Sequence, residues 1–297
     1  MYLLQILTLT DLVQVTSYKP MTRKYLTTMP QAKSPLRYPG GKSKALDKII
    51  PHIPLNVGEY REPFVGGGSV FLAVKQLFGS RIKQYWVNDL NFDLCCFWLY
   101  AKTEIESLAD EVDRIKQKCI DGRELFKYFT REDLKLSDFE RAVRFFVLNR
   151  ITFSGTVDSG GYSQQAFDRR FTDSSIARLR NLSVHLSSIH ITHGDYENLL
   201  FQNGENVFIF LDPPYLSATK SKLYGLRGNL HTAFDHERFA DNMRQCQHKW
   251  LITYDDSPEI RKLFEFANIT EWTLQYGMNN YKQECAAQGR ELLIQNY

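Results

Sequence analysis

The stretch Val207-Phe208-Ile209-Phe210-Leu211-Asp212-Pro213-Pro214-Tyr215 places a carboxylate, two prolines and an aromatic ring directly after five apolar residues. An apolar run with β-branched and aromatic members predicts a strand buried on both faces, as in a parallel sheet covered by helices. Ligands of such sheets bind beyond the carboxyl ends of the strands. The polar residues that follow Leu211 are therefore candidates for a site.

The tetrapeptide Asp212–Tyr215 combines groups that can hold a ligand. Proline fixes φ and has no N–H, so the two prolines leave carbonyl oxygens free to accept hydrogen bonds from another molecule. The carboxylate of Asp212, the carbonyl of Pro213 and the ring of Tyr215 suit a planar ring that carries an amino group. An ordinary proline-rich turn after a strand explains the same four residues. The rest of the sequence must decide between the two interpretations.

Length and composition predict a globular protein with room for two structural units. The chain has 297 residues, of which 43% are hydrophobic and 24% charged, and its net charge is only +3. Affinity for nucleic acid would therefore come from local patches. The five cysteines show no C-x-x-C spacing. This argues against structural zinc, so we predict no metal site and expect free thiols in a reducing compartment, the cytoplasm.

Residues 1–33 are predicted to be an extension outside the fold, either a poorly ordered arm or a misassigned start. Residues 1–15 are moderately apolar, but they lack a basic start and a small-residue cleavage site, and polar residues interrupt the run too soon for a membrane span. Recognisable patterns of helices and strands begin near Ser34.

Three segments before residue 100 predict a ligand-binding half. Lys42 follows paired glycines and could hold a carboxylate or phosphate, although a solvated lysine explains it as well. Residues 59–65 are predicted as a strand, and Gly66-Gly67-Gly68 then lets a ligand lie against the turn before a helix. A second strand ends at Asp89, which could bind ribose hydroxyls or cap a helix. The glycine spacing matches neither G-x-G-x-x-G nor a Walker motif, which disfavours NAD and ATP.

From residue 102 to 182 the alternation of strands and helices stops. Helices are predicted over 104–120 and 138–148, and residues 151–171 are expected to form a long loop or hairpin. Between residues 141 and 182, seven arginines outnumber three aspartates. The arginines are Arg141, Arg144, Arg150, Arg169, Arg170, Arg178 and Arg180. Arginines near aromatic rings suit contacts to phosphates and bases, and a solvated helix face is the alternative.

After residue 182 strands and helices alternate again. A strand over 188–192 precedes His193-Gly194-Asp195-Tyr196, and the polar residues 217–232 are predicted to form a mobile loop beside the Asp212 site. The chain is expected to end in two strands, 269–276 and 291–296, paired as an antiparallel hairpin.

These motifs, in this order, resemble the Dam-like group of DNA N6-adenine methyltransferases, which use S-adenosylmethionine. The resemblance covers residues 34–297 and rests on Tyr38–Lys42, Glu62–Gly68, Asn88–Asn91, Gly194–Tyr196, Asp212–Tyr215 and Glu291–Asn296. It implies an α/β, Rossmann-like mixed sheet of the S-adenosylmethionine-dependent methyltransferase type. Residues 34–101 and 183–297 would form the catalytic domain, and residues 102–182 an inserted, mostly helical target-recognition domain. The cofactor motif stands first, as in the alpha arrangement of these enzymes.

The resemblance implies a role for each matching residue. Lys42 would bind the carboxylate of the cofactor, Asp89 its ribose, and Asp195 would lie near its adenine. The cofactor side would comprise Tyr38, Gly40, Gly41, Lys42, Pro63, Phe64, Gly66, Gly68, Asp89, Asp195 and Asp212. Catalysis would fall to Asp212, Pro213, Pro214 and Tyr215.

The resemblance also implies a mechanism and a partner. Asp212 and the Pro213 carbonyl would each accept one hydrogen of adenine N6, and Tyr215 would stack on the flipped adenine. Double-stranded DNA would be the partner of a chain that acts as a monomer, away from membranes and separately from any cognate restriction endonuclease. Candidate DNA contacts are Arg150, Tyr162, Arg169 and Arg170. Thr156-Val157-Asp158 departs from the more basic, Asn-containing hairpin of close Dam relatives, so no base-reading residue is assigned.

Two other functions remain open at this point. One is a methyltransferase that acts on RNA adenine or on a protein glutamine, because an Asp-Pro-Pro-Tyr loop can hold planar amino groups in general. The other is a DNA-binding module that keeps a cofactor fold without chemistry.

Overall fold

One seven-stranded sheet organises the chain in the computed structural model, which describes residues 33–157, 159–216, 234–275 and 288–297. The strands are β1 (Glu59–Glu62), β2 (Gln84–Asp89), β3 (Ile189–His193), β4 (Val207–Leu211), β5 (Lys249–Asp255), β6 (Asn268–Gln275) and β7 (Gln288–Gln295). Their order across the sheet is β3-β2-β1-β4-β5-β7-β6. Strands β1 to β5 are parallel, and β7 runs antiparallel to both β5 and β6. The predicted α/β mixed sheet and its final hairpin are confirmed.

The helices described are α1 (Leu46–Ile49), α2 (Ser69–Phe78), α3 (Phe92–Thr103), α4 (Ile105–Lys118), α5 (Gly122–Phe129), α6 (Asp138–Ile151), α7 (Gln164–Arg170), α8 (Asp173–Arg180), α9 (Glu197–Leu200), α10 (His236–Gln245) and α11 (Pro258–Leu263). Short 3-10 turns occupy Lys42–Lys44, Ile50–His52, Gly79–Arg81, Phe153–Gly155 and Ser183–His185. In the described part of the chain, no helix combines the length and apolar character that crossing a membrane requires.

Strand β4 is buried along its whole length, as its apolar run predicts. Successive side chains of a strand point to opposite faces, and β4 accordingly feeds two hydrophobic clusters. Phe208 and Phe210 pack with helices α1 to α3, whereas Ile209 and Leu211 pack with α9 to α11. The chain leaves β1 toward β2 and β3 on one side, and β4 and β5 lie on the other. The order therefore reverses between β1 and β4, where open α/β sheets bind their ligands.

The segment from residue 102 to 182 is mostly helical and contains α4 to α8. Helix α6 packs on α3, with the rings of Phe97 and Phe146 stacked at 6.0 Å. Buried residues of α4, α6 and α8 belong to the same hydrophobic cluster as those of α1 to α3. The assignment of this segment as a separate domain, with its boundaries, stays a prediction.

The expectation of a long loop over residues 151–171 is wrong in its second half. Residues 164–170 form α7, because the hydroxyl of Ser163 accepts a hydrogen bond from the N–H of Ala166 at 3.2 Å and caps the helix. The first half contains a 3-10 turn and a single antiparallel bridge between Thr152 and Tyr162. Most of the predicted extension, the polar loop 217–232 and Asp158 lie outside the described residues.

A buried arginine secures the amino end of the sheet. Arg61 on β1 has no exposed surface, and its Nε donates to Glu59 Oε1 at 2.7 Å. Its guanidinium also donates to three backbone carbonyls, that of Leu199 in α9 and those of Gln202 and Asn203 between α9 and β4. The connection that leads into β4 is thereby tied to the central strand.

Candidate active site

The chain segment around Lys42 brings an ammonium group to the carboxyl end of β4. Lys42 is 6% exposed, and its Nζ lies 2.8 and 2.9 Å from the two carboxylate oxygens of Asp212. The same ammonium donates to the carbonyl of Gly40 at 2.9 Å. Asp212 Oδ1 also accepts a hydrogen bond from Thr253 Oγ1 at 2.7 Å. Lys42 was predicted on a cofactor carboxylate, and in the structure its partner is the carboxylate of Asp212.

The ring of Tyr215 is fixed from several directions. Lys42 Nζ lies 4.6 Å from its centroid, and the ring of Tyr254 stacks on it at 5.9 Å. Its hydroxyl donates to Glu291 Oε2 at 3.0 Å. The next residue, Leu216, donates its N–H to Asp255 Oδ1 at 3.1 Å. The loop after β4 is therefore anchored to β5 and β7.

Thr253 and Tyr254 are site residues that the sequence did not identify, and Glu291 was quoted only as the first residue of the last motif, without a role. Glu291 is 1% exposed and pairs across β5 and β7 with Asp255. A carboxylate among the apolar residues of the last strand was the available signal, because buried carboxylates require a hydrogen-bonding partner. Thr253 and Tyr254 lie in an apolar strand and carry no comparable signal.

A second carboxyl group lies close to Asp212. Glu62 ends β1 with 2% of its surface exposed, and it accepts a hydrogen bond from the hydroxyl of Tyr60. Burial and the nearby charge of Asp212 raise the pKa of Glu62 well above its ordinary value. Its carboxyl also accepts the N–H of Phe71, in the first turn of α2. Glu62 thus links the sheet to the helix that follows the glycine loop.

The glycine loop packs on aromatic side chains of the protein. Gly68 has φ 67°, and a Cβ at this position would lie 2.6 Å from the ring of Trp98. The indole Nε1 of Trp98 donates to the carbonyl of Gly66 at 3.0 Å, and the ring of Tyr38 lies against Gly66 and Gly67. The prediction that missing Cβ atoms make room for a ligand is wrong for these directions, since Tyr38 and Trp98 fill the space. Cofactor contacts of the loop stay a prediction.

Hydrogen bonds join the loops that follow β1, β2 and β3. Asp89 accepts the N–H of Gly66 on Oδ2 and that of Asn91 on Oδ1, each at 3.0 Å. Burial raises the pKa of Asp89, and these N–H groups act in the opposite direction. Asn88 donates to the carbonyls of Pro63 and Gly194 at 3.2 and 2.8 Å. These bonds bring the predicted cofactor residues Pro63, Gly66 and Asp89 together at one edge.

Apolar and acidic surfaces flank this edge. Leu90, which the sequence did not single out, is 52% exposed directly after Asp89. Phe64 stacks on Tyr196 with ring centroids 5.4 Å apart. Asp195 lies beside Arg238 of α10, with Oδ2 and Nη2 3.3 Å apart, and its side chain is 43% exposed. The predicted adenine side therefore holds a partly exposed carboxylate next to an aromatic cluster.

Five arginines line a cavity of about 370 Å³ that borders the Lys42 segment. The lining residues that carry guanidinium or hydroxyl groups are Ser34, Arg37, Tyr38, Ser43, Ser69, Arg150, Arg169, Arg170, Thr172, Ser174, Ser175 and Arg178. Arg150 is 5% exposed, and burial followed by the charges of Arg178, Arg170 and Arg37 lowers its pKa to about 9. Within the described residues, Arg150 Nε and Arg170 Nη1 are buried without a hydrogen-bond partner. We name this feature the arginine cavity.

The remaining arginines of this segment are paired with carboxylates of the protein itself. Arg141 and Arg144 bind the two carboxylate oxygens of Asp93 at 2.9 and 2.7 Å. Arg180 binds Glu106 and Asp110. These three arginines, none of which was named as a candidate DNA contact, therefore have carboxylate partners within the protein. Of the four predicted DNA contacts, Arg150, Arg169 and Arg170 line the cavity, whereas the lining does not include Tyr162, whose hydroxyl donates to Gln164 at 2.7 Å.

Comparisons with known proteins identify the family of this chain. A sequence model described as D12 class N6 adenine-specific DNA methyltransferase matches residues 38–278. The type II methyltransferase M.MjaIII of Methanocaldococcus jannaschii is 26% identical, over 90% of this chain and 100% of that protein. The modification methylase StsI of Streptococcus sanguinis is 26% identical over 93% of this chain, which spans 44% of that longer protein. A DNA adenine methylase of Vibrio cholerae is 25% identical, over 81% of this chain and 88% of the relative.

Proposed function

This chain belongs to the D12 class of N6 adenine-specific DNA methyltransferases, and we propose that it transfers the methyl group of S-adenosylmethionine to an adenine flipped out of duplex DNA. The observation that carries the proposal is the cluster of Lys42, Asp212 and Tyr215 where the strand order of the sheet reverses. A carboxylate, a proline carbonyl and an anchored aromatic ring there match the amino group and the flat face of an adenine.

The residues at the carboxyl edge of the sheet fit S-adenosylmethionine. Asp89 and Asp195 offer carboxylates to ribose hydroxyls and an adenine amino group, and Leu90 and Phe64 offer apolar surface to the adenine ring. Tyr38, Gly40 and Gly41 lead into Lys42, at the side of Asp212. When bound, the cofactor supplies a methyl group on a positively charged sulfur.

Asp212 would make the adenine nitrogen reactive by accepting one of its hydrogens. The lone pair of N6 is delocalised into the ring, so the nitrogen is a poor nucleophile in its planar form. Two acceptors, the Asp212 carboxylate and the Pro213 carbonyl, favour a tetrahedral nitrogen whose lone pair is available. Catalysis would then depend on positioning and electrostatics, because no strong base is needed before the methyl transfer.

Lys42 and Thr253 hold the Asp212 carboxylate in one orientation before substrate arrives. The ammonium contacts both oxygens, and the hydroxyl of Thr253 binds Oδ1. Tyr215 is similarly fixed by Glu291 and Tyr254. Such preorganisation is what electrostatic catalysis requires, because groups that already point at the reacting atoms do not have to reorient during the reaction.

Expression in cells that lack adenine methylation tests this function. We expect sequencing of their DNA to find N6-methyladenine at one defined sequence, which would also identify the recognition site. The same chain carrying Asp212→Ala is the control. DNA without the mark, accompanied by methylated RNA adenine or protein glutamine, would contradict the proposal and favour the other methyltransferase activity. Binding of DNA by the purified protein, without methyl transfer to any of the three, would indicate the non-catalytic module.

The arginine cavity is proposed to take a phosphate of the duplex, beside the residues that would hold the flipped adenine. Among the described residues, Arg150 Nε and Arg170 Nη1 are buried there without a hydrogen-bond partner, and the positive charge of Arg170 acts on Arg150. A phosphate would neutralise that charge and accept bidentate bonds. We also propose that a single chain acts on the DNA, because one chain contributes both the cavity and the Asp212 cluster. Methylation would require no restriction endonuclease.

Arg150→Met is expected to weaken binding of duplex DNA by about tenfold and to lower the slope of log affinity against log salt by about one. Methionine retains apolar volume and removes the charge. Fluorescence anisotropy with a labelled duplex at several salt concentrations measures both effects. Arg131→Met is the matched control, because Arg131 is exposed and binds Asp133. An unchanged salt slope for Arg150→Met would contradict the phosphate assignment.

A further inference from the structure

The side chain of Asn149 joins two segments that lie 112 positions apart in the chain. Asn149 is in the last turn of α6 and has no exposed surface. Its Oδ1 accepts the N–H of Arg37 at 2.9 Å, and its Nδ2 donates to the carbonyl of Arg37 at 2.8 Å. Nδ2 also donates to the carbonyl of Gly155 at 3.1 Å. One carboxamide thus binds both peptide groups of Arg37 and the turn between α6 and α7.

This α6–α7 turn, residues 152–157, contacts the backbone of Arg37 closely. Ser154 and Gly155 have φ values of 54° and 76°, in the left-handed region. A Cβ on Gly155 would lie 2.1 Å from the carbonyl oxygen of Arg37. Phe153, at the start of the turn, is 70% exposed. The turn is therefore held on its inner side by Asn149 and Arg37, and it presents an aromatic ring to solvent on its outer side.

Arg37 lies only five positions before Lys42, which belongs to the Asp212 cluster. Tyr38 packs on the glycine loop, and the N–H of Gly41 donates to the carbonyl of Tyr38 at 3.1 Å. Lys42 follows and pairs with Asp212. The segment is therefore bonded at both ends, at the Arg37 peptide and at the ammonium of Lys42.

Asparagine has the chemistry that this position requires. Its carboxamide carries a donor and an acceptor side by side, which matches the N–H and carbonyl of Arg37 as a neighbouring strand would. Aspartate has the same shape but no donor, and glutamine is one methylene longer. A buried carbonyl that loses its donor is costly, so aspartate at this position would separate the two segments.

We propose that Asn149 is a positioning residue that sets the distance between the α6–α7 turn and the Lys42 segment, and through it the sequence specificity of methylation. The inference rests on the proposed function. A base pair that meets the turn is thereby placed at a defined offset from the adenine whose amino group reaches Asp212. A preferred DNA sequence satisfies two contacts at once, the base pair at the turn and the adenine at Asp212. A substituted sequence does not satisfy both.

Asn149→Asp tests the inference because it keeps the shape of the side chain and replaces the Nδ2 donor with a carboxylate oxygen, which repels the carbonyls of Arg37 and Gly155. The substrate is genomic DNA from a strain without adenine methylation, followed by duplexes with the preferred site or with one substituted base pair. We expect kcat/KM on the preferred site to fall by about 10- to 100-fold through misplacement of the reacting groups. The ratio of preferred to substituted site should fall by about tenfold. Affinity for S-adenosylmethionine, measured by calorimetry, should fall by a smaller factor than kcat/KM, because the predicted contacts of Asp89 and Asp195 are retained.

Gly155→Ala acts on the same contact from the side of the turn and should relax specificity in the same way. It replaces Asn149→Asp in the experiment if that variant is too unstable to purify. Asn181→Asp, in an exposed position at the end of α8, is the matched control and should behave as wild type. One result would overturn the inference and leave the proposed function intact. It is an active Asn149→Asp or Gly155→Ala protein whose methylation rate falls in parallel with its thermal stability, while the ratio of preferred to substituted site stays unchanged. Absence of methyl transfer by the wild-type protein would overturn the proposed function and this inference together.

Discussion

Asp212→Ala is expected to abolish methylation, with a single-turnover rate at least about 10³-fold below wild type, because it removes an acceptor aimed at the reacting nitrogen. The substitution also leaves the buried ammonium of Lys42 without its carboxylate partner. Cofactor affinity should be at most weakened, since the predicted ribose and adenine contacts lie at Asp89 and Asp195. Rapid-quench measurement of methyl transfer, with calorimetric titration of the cofactor, separates the two effects.

Two further variants sharpen this prediction. Asp212→Asn keeps one acceptor oxygen but loses the charge that pairs with Lys42, so its rate should lie between those of wild type and alanine. Asp241→Ala is the control, because Asp241 is exposed on α10 and binds Arg244. Turnover close to wild type in Asp212→Ala would disprove the assignment of Asp212 to the adenine amino group.

Arg61→Met is expected to lower the free energy of unfolding by about 3 to 5 kcal/mol, the usual result of removing one member of a buried ion pair. The substitution leaves the Glu59 carboxylate and the carbonyls of Leu199, Gln202 and Asn203 without their donor. Urea unfolding followed by circular dichroism measures the loss.

The partner of Arg61 provides an internal test of this explanation. Adding Glu59→Gln to Arg61→Met removes the unpaired charge, so the double variant should recover part of the lost stability. Arg244→Met, at an exposed position on α10, should change the free energy of unfolding by less than about 0.5 kcal/mol. A loss of similar size in Arg61→Met and Arg244→Met would show that the buried network does not stabilise the fold.

The local elements were largely predictable because each depends on a short pattern. The apolar run of β4 is buried on both faces. The strands expected over 59–65, 188–192, 269–276 and 291–296, and the one expected to end at Asp89, all occur. Helix α7 was missed because a single capping serine begins it and its apolar residues are too few to show a period. The roles assigned to individual site residues stay predictions, and the structure adds Thr253, Tyr254, Glu62 and Glu291 to their surroundings.

The sequence by itself determined the buried strand before Asp212, the order of the motifs and hence the family, because periodicity and motif spacing are properties of neighbouring residues. Only the tertiary structure decided which distant groups meet. Lys42 pairs with Asp212 across 170 positions, and Trp98 and Tyr38 fill the space beside the glycines. Four arginines of one segment line a cavity, whereas three others bind carboxylates. These contacts depend on the reversal of strand order between β1 and β4 and on the packing of α6 against α3. No local pattern encodes that geometry, since it arises from burying all the apolar faces at once.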